Sequence, residues 1–287
     1  MDPISQFVVQ HLVGAAAHII MPLMLAAFVA GCGVRMMLYY YARSEYNFSM
    51  EFEKRLRAAV GEMGEDESKR IHSFQKFVSA ILARTFYECF ELRARYKRRN
   101  FDHVTSLADR LLLIQNGCER VVEDTNRQIR YLKRENTNYE RIMEITKNVF
   151  GSNPFFNKLC GILPTGLMSE LTNILPGLFI IAGIFGTFLG ISHGLPELGN
   201  MDMAKPDEAK HIMDAFLVSI SQAMVKSIIG IFLSVTMSLV NTFFSPEGLY
   251  YNAVNRFSTT LDLAWNETEN NDATHEVKED AELKLAA

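Results

Sequence analysis

Small and hydroxyl-bearing residues recur at helical spacing in two uncharged stretches of the chain. In residues 171–196, one face carries Gly183, Gly186, Thr187, Gly190 and Gly194. In residues 227–246, a second face carries Ser227, Gly230, Ser234, Ser238 and Asn241. Because small residues let helix backbones approach closely, we predict that the five glycines serve helix packing. One hydroxyl in hydrocarbon can bond back to its own helix, but a row of polar side chains favours a polar interior.

Two such helices per chain suggest several subunits that enclose a central space. The residues predicted to line this space are Thr187, Ser227, Ser234 and Ser238. A lining of small, uncharged side chains is better suited to a tightly fitted helix, which can slide or turn against it, than to an open aqueous pore. Simple packing of the glycine face within one subunit is the alternative.

No Asp or Glu lies in the cores of the uncharged stretches, although a proton path through a membrane usually needs an ionisable group. The candidates are His18, His193 and Lys226, each near the end of a stretch. Lys226 marks either the outer boundary of a helix over 227–246 or the middle of one that begins near Ala215. We favour an interfacial Lys226 whose side chain extends to the headgroups. The other possible role is that of a charge facing a partner chain. The missing carboxylate is therefore expected from a partner chain.

Enzymatic chemistry finds no support in the sequence. It has no phosphate-binding glycine loop with a lysine, no HExxH and no nucleophile elbow. The four widely spaced cysteines form no C-x-x-C pair, which favours free thiols facing a reducing compartment over a metal site. The net charge of -4 argues against nucleic-acid binding. We predict a protein that is not an enzyme and has no metal, cofactor or nucleic-acid partner.

Three uncharged stretches must position these residues, and their lengths match a bilayer. Residues 12–34, 171–196 and 227–246 contain no Asp, Glu, Lys or Arg. About 20 apolar residues in a helix cross the roughly 30 Å hydrocarbon layer. The sequence therefore predicts a multi-pass membrane protein, with spans at 12–42, 171–196 and 215–246.

Charge asymmetry predicts how these spans are oriented. The segment 43–170 carries 22 basic residues, whereas 197–214 carries two basic and five acidic ones. Since Lys and Arg mark the cytoplasmic side, the insert should be cytoplasmic, and residues 1–11 and the 197–214 loop should face outward, to the periplasm or the exterior. Because three spans place the two ends of the chain on opposite sides of the membrane, the acidic tail, 247–287, should be cytoplasmic.

The insert has the pattern of helices. Apolar stripes cover 48–60 and 68–98, and a 3-4 spacing continues from 107 to 149 as one long amphipathic helix. GEMGEDE at 61–67 separates the first two stripes, and Gly151-Ser-Asn-Pro154 breaks the chain before the second span. No strand alternation is present. The predicted fold is therefore all-α, with three transmembrane helices and a cytoplasmic helical bundle.

The two polar faces resemble motifs of a known family. Gly183-Ile-Phe-Gly-Thr-Phe-Leu-Gly-Ile191 resembles the G-x-x-G-T-x-x-G-I signature of the MotA/TolQ/ExbB proton-channel family. Ala223-Met-Val-Lys-Ser-Ile-Ile-Gly230 is similar to the A-x-x-x-[TS]-x-x-G segment of that family's last span. The three-span plan with a large insert is similar to the TolQ/ExbB arrangement, and the second-span phrase looks closest to ZorA.

This resemblance implies a pentamer of the chain around two helices of a TolR/ExbD/MotB/ZorB-like single-span partner. An Asp on the partner would take up and release H⁺ or Na⁺. Carried over by position, Thr187 and Ser227 would be the pore-facing hydroxyls near that Asp. Ion passage would drive rotation that powers transport, envelope maintenance or ZorA-like phage defence. The resemblance also implies that the chain lies in the inner membrane of a bacterium.

Two further functions remain open from the residues. A membrane-anchored helical scaffold or sensor would use the spans only as anchors, and would tolerate bulky apolar residues at Gly183, Gly186 and Gly190. A self-sufficient channel would conduct ions without any partner.

Overall fold

The computed structural model describes residues 14–64, 73–92, 113–133, 137–159, 161–199 and 206–268. Seven α-helices account for most of these residues. They are α1 Gly14–Gly64, α2 Phe74–Phe86, α3 Ile114–Ile129, α4 Tyr139–Gly151, α5 Thr165–Gly199, α6 Pro206–Phe243 and α7 Pro246–Glu267. A π-helix, Tyr87–Leu92, continues α2 directly. Two-residue strands β1 Lys158–Leu159 and β2 Leu163–Pro164 pair antiparallel.

Three helical stretches are long and apolar enough to cross a membrane. They are Ile19–Glu62, Thr165–Pro196 and Ala209–Glu267. Each exceeds the roughly 20 residues that a bilayer requires. The prediction of a mainly helical protein with three helices able to span a membrane is therefore confirmed.

The chain divides into two compact units. The apolar unit comprises the described parts of Met1–Met36 and Leu167–Phe244, and the insert unit comprises those of Met37–Gly166 and Ser245–Ala287. The apolar unit thus contains the first part of α1 together with α5 and α6. The insert unit contains the rest of α1, helices α2 to α4, both strands and α7.

In the apolar unit, three helices share a small core. Met24 of α1, Phe179 of α5, and Leu233 and Met237 of α6 are buried together. Large aliphatic and aromatic side chains elsewhere on these helices are exposed, including Phe188 and Phe232. In water such a surface would be unfavourable, and it suits helices surrounded by lipid or by other apolar helices.

Aromatic side chains form the centre of the insert unit. Phe257 of α7 lies 4.9 Å from Phe52 of α1 and 5.3 Å from Phe150 of α4, ring centroid to centroid. Phe74 of α2 meets Trp265 of α7 edge-on at 4.9 Å. Helix α7 therefore contributes to a common core with three other helices of this unit.

This packing of α7 differs from the acidic tail expected at 247–287. Eight residues of Pro246–Glu267 are buried, among them Ala253, Phe257, Leu261 and Ala264 at helical spacing. The overall acidity of the segment hides this apolar stripe, because the charged residues lie on the other faces of the helix. Residues 269–287 lie outside the described part of the chain.

The single helix predicted over 107–149 is also different in the structure. Helix α3 ends at Ile129 and α4 begins at Tyr139, although Leu132 between them stays buried. The intervening segment is rich in Asn and Thr, whose side chains compete with helical hydrogen bonds, and Thr137 Oγ1 donates to the Lys133 carbonyl. Hydrophobic periodicity therefore persists across a break in the helix. Predicted stripe positions 107 and 111 lie outside the described residues.

The stripe at 48–60 belongs to α1, so it continues the same helix that contains the first predicted span. Helix α4 ends at Gly151, where the sequence predicts a break. The β1–β2 pair was not expected from the sequence, since two residues per strand are too few to show alternation.

Candidate functional site

Gly183, Gly190 and Gly194 of α5 face α6 within the same chain. A β-carbon added at Gly183 would lie 3.2 Å from the α-carbon of Ser227, and one added at Gly190 would lie 2.4 Å from the β-carbon of Ala223. At Gly194 it would lie 3.0 Å from the Phe216 ring. These approaches are possible because the α5 positions have no side chain. The two small-residue faces predicted from the sequence therefore meet along one seam.

One side of this α5–α6 seam is covered by α1. A β-carbon added at Gly230 would lie 2.6 Å from the Phe179 carbonyl oxygen and 3.2 Å from Cε of Met24 in α1. At Gly186 it would meet the side chain of Lys226 at 3.5 Å and Ile20 of α1 at 3.9 Å. Gly186 and Gly230 thus lie on the side of the seam that faces α1.

Thr187 and Ser227 lie at the other edge of the seam. Thr187 follows Gly186 and is therefore turned by about 100° around α5, away from α1. Ser227 is related in the same way to Lys226 on α6, and its backbone lies against Gly183. Both side chains are half-buried, and Thr187 Oγ1 donates a 2.6 Å hydrogen bond to the carbonyl of Ile184. The structure therefore brings the two signature hydroxyls to one partly open edge of the helix pair.

The two remaining predicted lining residues have different surroundings. Ser234 is 5% exposed and lies within the packed unit, whereas Ser238 is exposed. Asn241, which continues the same stripe, donates from Nδ2 to the carbonyl of Thr172 at 2.7 Å. Ser238 thus resembles Thr187 and Ser227 in having an accessible side chain. Ser234 and Asn241 instead make contacts inside the subunit.

Lys226 lies on the α1 side of the seam. Its Cβ and Cδ are both 3.5 Å from the position of a β-carbon at Gly186, and its side chain is half-buried. Since α6 begins at Pro206, Lys226 is an interior residue of a continuous helix. The described part of its side chain, from Cβ to Cδ, therefore lies beside Gly186 and not at the edge that carries Thr187 and Ser227. His18 and His193 lie within α1 and α5, but their side chains are outside the described part of the structure.

A buried arginine joins all three helices of the apolar unit. Arg35 is 2% exposed, and its guanidinium donates to Ser169 Oγ of α5 at 3.2 Å and to the Asn241 carbonyl of α6 at 2.9 Å. Asn241 lies in the last turn of α6, where a cation also interacts favourably with the helix dipole. We call Arg35, Ser169, Thr172 and Asn241 the clasp.

Sequence reasoning missed the clasp, although one signal was present. Arg35 is the first charged residue after 12–34, and its partner Ser169 lies two residues before the second uncharged stretch. The clasp therefore lies where the charge-free part of each helix ends. Ser227 is fourteen residues along α6 from Asn241, which is about 21 Å at 1.5 Å per residue. The Thr187–Ser227 edge is thus roughly two-thirds of a bilayer away from the clasp.

Comparison with protein-family models and with curated proteins finds no match for this chain. Among the described residues, no group of three or more His, Cys, Asp or Glu side chains could hold a metal ion. The site is therefore characterised by its own geometry: two half-buried hydroxyls and an exposed third on a helix pair whose opposite side is covered.

Proposed function

We propose that the chain is the membrane subunit of an ion-driven motor, in which several copies surround helices of an acidic partner. The observation that carries this proposal is the position of Thr187 and Ser227 at the edge of the α5–α6 seam opposite α1. If α1 lies outermost, that edge faces the centre of a ring. The proposed ring is a pentamer around two partner helices, as the resemblance to the MotA/TolQ/ExbB family implies.

Thr187 and Ser227 are suited to lie beside a carboxyl group that binds and releases an ion. The Thr187 hydroxyl donates to its own helix, so its oxygen keeps lone pairs that can accept from a protonated Asp or ligate Na⁺. A hydroxyl carries no charge, so it does not trap the ion. The carboxyl itself comes from the partner, because the uncharged stretches contain none.

The energy for the work would come from the membrane potential and the ion gradient. Moving one elementary charge across 100 mV releases about 2.3 kcal/mol. Passage of these ions would drive the ring to turn around the partner helices. Transport across the envelope, envelope maintenance and phage defence are the processes that such rotation would serve.

The contacts of the glycines determine which substitutions can distinguish a motor subunit from a membrane-anchored scaffold. Bulky residues at Gly183 or Gly190 would collide with α6 of the same chain, so they would damage a simple anchor as well. The discriminating positions are therefore Thr187 and Ser227, whose side chains keep exposed surface.

The test is ion flux through complexes purified with the tagged chain and reconstituted into vesicles. Thr187→Val and Ser227→Val should abolish flux of H⁺ or Na⁺ while the complex keeps its size in chromatography. Thr236→Val is the matched control, because Thr236 bonds back to Phe232 and lies about half a turn around α6 from Ser227. Full flux in both Thr187→Val and Ser227→Val would contradict the assignment. Flux without any co-purified partner would favour a self-sufficient channel.

A further inference from the structure

A carboxyl group is buried in the insert unit, within a mainly apolar stripe of α1. Glu45 is 5% exposed and lies three residues beyond the span predicted at 12–42. Tyr41, one turn before it, and Phe52, two turns after it, are also buried. At these positions α1 packs against Phe156 and Phe257, so Glu45 belongs to the face that forms the core. A glutamate on such a face is unfavourable when it is charged.

The polar groups beside Glu45 are hydroxyls. Ser49, one turn along the same face, is fully buried, and its hydroxyl has no hydrogen-bond partner in the described part of the chain. Tyr250 of α7 is half-buried, and burial raises the pKa of its phenol; the charge of the nearby Glu45 carboxylate raises it further. The Tyr250 hydroxyl also lies 4.0 Å from the position of a β-carbon at Gly151, the last residue of α4. A small polar cluster thus lies between α1, α4 and α7.

The charged side chains of the packed elements do not neutralise Glu45. Those of α4 are exposed: Glu140, Arg141, Glu144 and Lys147. On α7, Glu247 is exposed, and Arg256 is exposed and bonded to Glu53 at 2.7 Å. Among the described residues Glu45 forms no ion pair, and burial alone raises the pKa of its carboxyl to about 8. Glu45 is therefore protonated at neutral pH.

We propose that Glu45 is a proton-binding site whose occupancy controls the packing of α7 on α1. With the proton bound, the neutral carboxyl is compatible with the core and can donate to a neighbouring hydroxyl oxygen. When the proton leaves to water, the carboxylate needs hydration, and α7, with Tyr250 beside the charge, loosens to admit it. The ligand is H⁺ from the aqueous phase that bathes the insert unit. The inference stands apart from the proposed ion pathway, which uses residues of the apolar unit.

The proton itself is tested by infrared titration of the purified full chain in lipid nanodiscs. The C=O band of a protonated carboxyl should persist at neutral pH, disappear with a midpoint near 8, and be absent in Glu45→Gln. Glu247→Gln, which removes an exposed carboxyl at the start of α7, is the control and should leave this band unchanged. A midpoint in the ordinary glutamate range, about 4 to 5, would overturn the proposal.

The coupling is tested by hydrogen exchange of the α7 amides below and above the midpoint. After correction for the intrinsic pH dependence of exchange, α7 should exchange about tenfold faster or more above the midpoint in the wild type. In Glu45→Gln the corrected rate should not change with pH; an equal increase in both proteins would overturn the coupling. Tyr250→Phe is a second variant that keeps the aromatic packing. It should shift the band's midpoint upward, because it removes a hydroxyl that can donate to the carboxylate.

Discussion

The seam between α5 and α6 allows a quantitative prediction at Gly190. A β-carbon added there would lie 2.4 Å from the β-carbon of Ala223, whereas ordinary contact begins at 3.4 Å. The Ala223 β-carbon is fixed to its backbone, so the helices would have to separate by about 1 Å, and overpacking of this kind costs about 1–3 kcal/mol. The better helix propensity of Ala offsets about 1 kcal/mol of this cost. Gly190→Ala should therefore lower the free energy of unfolding by up to about 2 kcal/mol.

The same geometry predicts a rescue. If Ala223 loses its β-carbon, the nearest of its atoms to the new methyl group is the α-carbon, at 3.4 Å. Ala223→Gly alone should cost about 1–2 kcal/mol, since it removes a buried methyl group and weakens the helix. The double variant should unfold within about 1 kcal/mol of the wild type, which corresponds to a favourable coupling energy of about 1–3 kcal/mol.

Titration of the purified chain with sodium dodecyl sulfate in mixed micelles, followed by circular dichroism, measures these free energies. Gly177→Ala is the matched control in the same helix, because an added β-carbon at Gly177 would meet no atom within 4 Å. This control should be neutral or stabilising by up to about 1 kcal/mol. The reasoning is refuted if Gly190→Ala behaves like Gly177→Ala, or if Ala223→Gly fails to rescue Gly190→Ala.

Two further predictions concern the other packed regions. Asn241→Leu removes the hydrogen bond to the Thr172 carbonyl and should lower the free energy of unfolding by about 1–3 kcal/mol in the same titration. The control is Thr242→Val, on the exposed surface one residue later, which should lower it by less than about 0.5 kcal/mol. Equal effects of the two substitutions would argue against the clasp. Phe257→Ala should cost about 3–5 kcal/mol, because Phe257 is fully buried at the centre of the insert unit. Tyr251→Ala, at a side chain that is 65% exposed on the same helix, should have little effect on thermal unfolding; similar losses in both would contradict the described core.

The sequence predicted the helices that depend on composition over many residues. Uncharged stretches of 20 or more residues identify membrane-spanning helices without any knowledge of their contacts. The glycine and serine faces were visible for the same reason, since helical spacing is a local property. Which face meets which neighbour was not visible: Ser234 and Ser238 are one turn apart in the sequence pattern, yet one is buried and the other exposed.

Features that depend on distant contacts could not be predicted. The packing of α7 requires partners from α1, α2 and α4, so the segment has the composition of an acidic tail when it is considered alone. The role of Arg35 depends on Ser169 and Asn241, which are far away in the sequence. The break between α3 and α4 was missed because the apolar periodicity continues through Leu132.

The clasp also has a consequence for biogenesis. Arg35 and Asn241 are separated by 206 residues. At synthesis rates of about 5–20 residues per second, Asn241 is synthesised about 10–40 s after Arg35, so the guanidinium lacks this acceptor for that time. During that interval the guanidinium must remain hydrated by extending toward the headgroups. We therefore expect the contact between the first and third helices to be completed only after Asn241 is made, and nascent chains stalled before Asn241 to be preferred targets of membrane quality control.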